Sequence, residues 1–184
     1  RENLENHYKN VEFMIHGIKT GVSRAANIVT SLNNYSRIDK HKTSIADIHP
    51  TIDNCLIMLH NQIKTKAQII KEYTATGYLL SGNEGQLHQI FLNVLSNAVQ
   101  AIDKKGFIKI QTKIENQHLK ISINDNGCGI SEENLSKIFD PFFTTKLGKG
   151  GSGLGLSIVL NLVRNLLGGD MIVESDPGEG TRFI

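Results

Sequence analysis

Apolar residues recur along this chain with two different periods. Val11, Ile15, Ile18, Val22, Ala25, Val29, Leu32 and Ser36 follow an alternating four-three spacing, which is the heptad seam of a helix. Met14, Ile28 and Tyr35 stand at multiples of seven beside that seam and widen the stripe to the breadth of a four-helix bundle face. A long helix packed on its own domain would carry the same stripe. No second helix of similar length and pattern is at hand to complete a bundle in cis, so self-association is the simpler reading.

Beyond Ser36-Arg37-Ile38-Asp39 a polar stretch, DKHKTS, separates this helix from a mixed pattern. DIHPTIDNCLIMLHNQIKTK reads as a helix with Pro50 tolerated in its first turn. AQIIKEYTA and GYLLSG read as strands, and EGQLHQIFLNVLSNAVQAID as a strongly amphipathic helix. GFIKIQTKIENQHLKISINDNG alternates apolar and polar on both sides of ENQ, which predicts a hairpin. A Gly- and Phe-rich segment, a helix from Leu154 to about Leu167, and strands at DMIVESD and TRFI follow. Strands paired mainly as hairpins, with helices gathered on one face, predict an α+β two-layer sandwich over 40–184, preceded by the helix of 1–39.

Composition adds mostly exclusions. The chain has 184 residues, 39% apolar and 21% charged, and a net charge of +2. This is ordinary globular material with no bias towards nucleic acid. Cys55 and Cys128 fit no C-x-x-C spacing and read as reduced thiols of a cytoplasmic setting. No apolar run approaches the roughly 18 residues that span a bilayer, although a membrane segment elsewhere in a longer parent is compatible with this piece.

The stretch TTKLGKGGSGLGLSIV concentrates five glycines just before a helix. Bare backbone N–H groups at a helix start favour phosphate. A P-loop would need Ser or Thr directly after Gly-Lys, but Lys149 is followed by Gly150 and Gly151. A dinucleotide fingerprint fails too, since Gly153-Leu154-Gly155 is followed by Leu-Ser-Ile. Three other features carry chemistry. Asn93 and Asn97 lie one turn apart on one helix face; such a pair either bonds local backbone or offers hard amide oxygens to a cation such as Mg²⁺. NDNGCGI follows a strand, and it reads either as a tight turn or as a place where Asp125 accepts from an amine while Gly127 and Gly129 let backbone approach a ligand. Phe139, Phe142 and Phe143 surround Asp140-Pro141, pinning a loop to the core or anchoring a lid.

In this order the features resemble the ATP-binding domain of sensor histidine kinases, of the Bergerat fold shared with gyrase, chaperones and MutL. NVLSNAVQA looks like that family's N box, DNGCGI its G1 box, FDPFF its F box and GSGLGLSIV its G2 box, while GTRF is similar to the strand that closes its adenine pocket. The resemblance implies that Asp125 accepts from the adenine amino group of ATP or ADP, with Thr181 supporting that end and Gly127 and Gly129 beside it. It implies Mg²⁺ on Asn97, with Asn93 next to it on metal or phosphate. Backbone around Gly151, Gly153, Leu154, Gly155 and Leu156 would meet the phosphates, with Lys146 and Lys149 in a lid whose hinge is the glycine run. ATPases of this fold usually carry Glu where Asn93 stands, and an amide cannot act as a base, which favours a kinase over a hydrolase.

The same resemblance makes GIKTGVSRAANIVTSLNNYSRID the second helix of a dimerisation and phosphoacceptor hairpin, a homodimer contact in the parent protein. His7 is followed by Tyr-Lys-Asn and His16 by Gly-Ile-Lys, and neither has the acceptor context. The acceptor His is therefore expected on a helix upstream of Arg1, with a response-regulator receiver domain as the next partner.

Overall fold

The computed structural model describes residues 11, 14, 15, 17, 18, 21, 22, 44–74, 79–146, 151–165 and 167–184. The chain separates into two compact units, Asp39–Phe139 with Gly155–Ile184, and Arg1–Ile38 with Asp140–Leu154.

The larger unit runs β1 (Ser44–Asp47), α1 (Ile48–Met58), α2 (His60–Ile63), β2 (Ala67–Tyr73), β3 (Leu79–Gly82), α3 (Glu84–Ala101), β4 (Gly106–Glu115), β5 (His118–Asp125), α4 (Glu132–Leu135), α5 (Gly155–Asn165), β6 (Val173–Asp176) and β7 (Gly180–Phe183). Five strands form the main sheet in the order β2-β4-β5-β7-β6, and β1 pairs with β3 in a separate ribbon. Each predicted helix and strand in this unit finds its element, with four differences, the first being that the helix predicted over 47–66 is broken at Leu59 into α1 and α2. β2 runs parallel to β4, Ala67 opposite Gly106, because α3 crosses over between them, whereas the sequence predicted strands paired mainly as hairpins. SIAD, whose Ser44 falls in the predicted polar linker and whose Asp47 starts the first predicted helix after it, is the strand β1. The Phe-rich stretch is preceded by one short helix, α4.

Local chemistry starts the helices. The Asp47 carboxylate caps α1 by accepting from the His49 N–H at 3.0 Å, and Asn83 caps α3 by accepting from the Gly85 N–H at 2.9 Å. Leu87, Ile90, Phe91, Val94, Leu95, Ala98 and Val99 line one stripe of α3 at helical spacing and are all buried. On β4 the alternation is equally plain: Ile108, Ile110 and Thr112 are buried, while Lys109, Gln111 and Lys113 stand on the other face. The buried face meets α3, against which α1 and α5 pack, in a two-layer sandwich. The opposite face is laced with exposed ion pairs such as Lys109–Glu72 at 2.8 Å and Arg182–Glu174 at 3.2 Å. Hydrogen bonds from Lys109 first and Gln111 second hold the Glu72 carboxyl below its usual range.

Of the heptad residues, Val11, Met14, Ile15, Ile18 and Val22 are helical and each more than half exposed. Ala25, Ile28, Val29, Leu32, Tyr35 and Ser36 lie outside the described residues, as do His7 and His16. Among the described residues, no helix is long and apolar enough to cross a membrane.

The two thiols differ sharply. Cys55 is wholly buried between α1 and α3, 3.3 Å from His88 Nδ1, and burial pushes its pKa up to about 11. At pH 8 roughly one Cys55 in a thousand is then thiolate, so reactivity is suppressed by both charge and access. Cys128 is exposed. A disulfide reagent titrated against the folded protein is expected to modify Cys128 rapidly and Cys55 only after denaturant is added; rapid labelling of both would contradict this packing.

Candidate functional site

The end of β5 sets the site. Asp125 is its last residue, only 2% exposed, and its Oδ1 accepts from the Gly127 N–H at 2.9 Å. An Asx turn of this kind is what Asp-Asn-Gly is built for. Opposite Asp125 on β7 stands Thr181, 4% exposed, so a carboxylate and a hydroxyl share the helix-facing side of neighbouring strands. Two buried polar side chains side by side in an apolar layer need a purpose or a partner.

The following loop is braced against protein at each step. Asn126 bonds Phe107 twice, its Oδ1 accepting from the Phe107 N–H at 2.7 Å and its own N–H reaching the Phe107 carbonyl at 3.4 Å. The Cys128 N–H donates to the last helical carbonyl, Ala101, at 3.0 Å, and Gly178 N–H donates to the Cys128 carbonyl at 2.9 Å. A Cβ at Gly127 would lie 2.7 Å from Ala101, and one at Gly129, where φ is 67°, 2.0 Å from the Asp176 carbonyl oxygen. These glycines permit close approaches to the protein's own backbone.

Asn93 and Asn97 project from α3 one turn apart, both part-exposed on the edge of the buried stripe. Asn93 Nδ2 donates to the carbonyl of Gly155, the first residue of α5, at 3.4 Å. That bond turns the amide oxygen of Asn93 away from the carbonyl. Among the described residues, the Asn97 side chain has no hydrogen-bond partner. Gly155 packs loosely on Asn93, with a hypothetical Cβ 3.6 Å away, so the helix start and the amide are true neighbours. Leu156 and Ser157 follow in the first turn of α5, and a helix start of this kind is an anion-favouring end. Among the described residues no group of three His, Cys, Asp or Glu could hold a metal. Neutral amide oxygens alone are a poor cage, but they suit Mg²⁺ that arrives already ligated by phosphate and water.

The Asp140–Leu154 segment belongs to the other unit. Pro141 and Phe142 occupy the middle of a turn closed by the Phe143 N–H donating to the Asp140 carbonyl at 3.1 Å. Phe142 adopts φ 69°, the type II position usually left to glycine, at a cost of roughly 1–3 kcal/mol. The Phe142 N–H donates to the Gly153 carbonyl at 2.9 Å, and Gly153, at φ 71°, leaves no room for a Cβ beside the Phe142 carbonyl. Thr144, Lys146 and Gly151 are close neighbours: the Thr144 hydroxyl accepts from the Lys146 N–H at 3.0 Å and would sit 2.5 Å from a Cβ at Gly151. Leu154 is buried, and its N–H reaches the Ser152 hydroxyl at 3.4 Å. Lys149 lies outside the described residues.

The larger unit therefore gathers Asp125, Gly127, Gly129 and Thr181 at one end of the sheet, and Asn93, Gly155 and Leu156 along α3 and α5, with Asn97 a turn further along α3. Lys146, Gly151, Gly153 and Leu154 fall in the second unit. One residue that the sequence did not single out is Ser175, which lies beside Thr181 in the same cross-strand row. A serine in a short strand carries no motif, and only the register reveals it.

Residues 82–184 match the family described as histidine kinase-, DNA gyrase B- and HSP90-like ATPase, and the chain belongs to that family. The signal transduction histidine-protein kinase AtoS of Escherichia coli (strain K12) is 35% identical over 158 residues, covering 85% of this chain and 26% of that protein. The chain thus spans about a quarter of the length of the curated relatives it matches. Among solved structures, the mycobacterial sensor histidine kinase MprB has a TM-score of 0.68 at 27% identity, covering 77% of this chain and 94% of that one. The fold also matches the histidine kinase ThkA in complex with the response regulator protein TrrA, with a TM-score of 0.70 at 24% identity, over 90% of this chain and 47% of that one. The chain carries a histidine-kinase catalytic ATPase domain of the two-component sensor type.

Two glycines separate crowding from conformation. Gly129 and Gly178 both have positive φ, but a Cβ meets the Asp176 carbonyl at the first and nothing within 4 Å at the second. Gly129→Ala should cost more than about 2 kcal/mol and Gly178→Ala about 1 kcal/mol or less, by urea unfolding. Equal losses at the two positions would show that crowding against Asp176 is unimportant.

Proposed function

We propose that this chain binds Mg-ATP and transfers the γ-phosphate to a histidine on a dimerisation helix outside it, for relay to an aspartate of a response-regulator receiver domain. The observation that carries the reading is the buried Asp125–Thr181 pair at one end of the sheet, with Asn93 against the first turn of α5 in the same unit. Asp125 accepts from the exocyclic amine of adenine and Thr181 supports the base, with Gly127 and Gly129 shaping the loop around it. The N–H groups at Gly155 and Leu156 meet the phosphates, and the family resemblance assigns Gly151, Gly153, Leu154 and Lys146 to the same role.

Asn97 and Asn93 hold Mg²⁺ through their amide oxygens, and the metal, when bound, neutralises charge on the transferring phosphates. Transfer consists of attack by a neutral imidazole nitrogen on the γ-phosphorus as the bond to the bridging β-phosphate oxygen breaks and ADP leaves. Asn93 cannot deprotonate water, so hydrolysis is disfavoured and the acceptor must be positioned from another surface. The ThkA structure pairs a kinase of this fold with a response regulator, which supports the final partner. The heptad stripe supports a homodimer of the parent through its N-terminal helix, working on the cytoplasmic side whether or not the parent is anchored to a membrane.

Asp125→Asn keeps the acceptor for Gly127 but loses the charge that meets the amine. It is expected to weaken ADP binding by about 2 kcal/mol, roughly thirtyfold, by titration calorimetry. Unchanged affinity would place the base elsewhere. Asn97→Ala should lower phosphoryl transfer to a separately supplied phosphoacceptor helix far more than it lowers metal-free ADP binding. An equal loss of both would make Asn97 a structural residue. Without that supplied helix, radiolabelled ATP should leave the chain unlabelled, and acid-labile phosphate on His7 or His16 would overturn the assignment of the acceptor to another segment.

A further inference from the structure

Ser175 lies on β6 in a row that crosses three strands, with Thr181 opposite it and Asp125 opposite Thr181. Its hydroxyl oxygen has three neighbours: the Ile130 N–H at 2.9 Å, the Gly180 carbonyl oxygen at 2.7 Å and the Thr181 hydroxyl at 2.9 Å. A serine hydroxyl has one proton and two lone pairs. The amide of Ile130 can only donate, so it takes one lone pair. The Gly180 carbonyl can only accept, so it takes the proton. The contact with Thr181 is then completed by the proton of Thr181 on the second lone pair. Thr181 is left with an oxygen that accepts and cannot donate.

We propose that Ser175 is a specificity-positioning residue: by holding the Thr181 proton, it makes the buried end of the site beside Asp125 wholly accepting. Such an end matches an exocyclic amine on a purine and opposes an exocyclic oxygen at the same position. A site built to receive an N–H discriminates strongly against an analogue without it, because the buried acceptors are left facing lone pairs. The inference rests on the assignment of Asp125 and Thr181 to the base. It deepens that assignment by naming what sets the polarity of Thr181, a residue outside every glycine, asparagine or phenylalanine motif.

The test compares ADP with IDP, which differ at the exocyclic amine and the adjoining ring nitrogen, using metal-free calorimetry. The wild type is expected to prefer ADP at least tenfold. Ser175→Ala releases the Thr181 proton, and the preference should fall at least fivefold. Ser175→Thr keeps the hydroxyl and should keep the preference. Thr181→Val removes the group that Ser175 orients, so the preference should fall, and adding Ser175→Ala to it should change the preference no further. If Ser175→Ala weakens both nucleotides by the same factor, Ser175 is only a structural brace and the proposal is overturned. Should that variant fail to fold, an unchanged preference in Thr181→Val would overturn it instead. Failure of the wild type to bind ADP would sink the proposed function itself, a result distinct from either of these.

Discussion

At Gly180 the backbone passes so near Asp125 that a Cβ would lie 2.0 Å from the Asp125 carbonyl oxygen, and φ is 104°. Both facts exclude any side chain there. This close passage fixes where β7 begins against β5, and hence puts Thr181 opposite Asp125 and Ser175 opposite Thr181. A shift of one residue would turn Thr181 to the polar outer face and leave the Asp125 carboxylate in the apolar layer beside Arg182 or Gly180. The loop after β5 depends on the same fixed point. The Gly178 N–H reaches Cys128 and the Ser175 hydroxyl reaches Ile130, so the β6–β7 turn holds both sides of the Gly-Cys-Gly loop.

The elements with a strong period were legible in the sequence. The α3 stripe and the β4–β5 hairpin follow directly from which positions are apolar, because burial on one face is the dominant energy in each. The parallel pairing of β2 with β4 was not legible, since a crossover is a property of the connection through α3 rather than of either strand. β1 escaped notice because SIAD is too short to alternate visibly and follows a charged stretch. Asp125, Thr181 and the two asparagines could be found from spacing and family likeness. What those motifs could not convey is the direction of the close contacts. Gly127 and Gly129 are glycines because Ala101 and Asp176 lie against them, and only the tertiary structure supplies those neighbours. Ser175 shows the same limit: its importance comes entirely from what stands on the next strand.

The two polar regions of the larger unit have opposite electrostatic designs. Around Asp125 the polar groups are buried, closely bonded and fixed, which suits recognition of a rigid base by a few directional hydrogen bonds. Along α3 the asparagines are part-exposed and neutral, and the first turn of α5 offers backbone donors. In the proposed function, a carboxylate in place of Asn97 would add repulsion towards the phosphates. It would also bind a divalent cation without nucleotide, uncoupling the metal from the substrate. In the proposed function, neutral ligands would make occupancy of the metal depend on the phosphates being there. In that function the fixed region would hold a nucleotide by its base, and the phosphate region would complete itself only when a triphosphate and its cation arrive together.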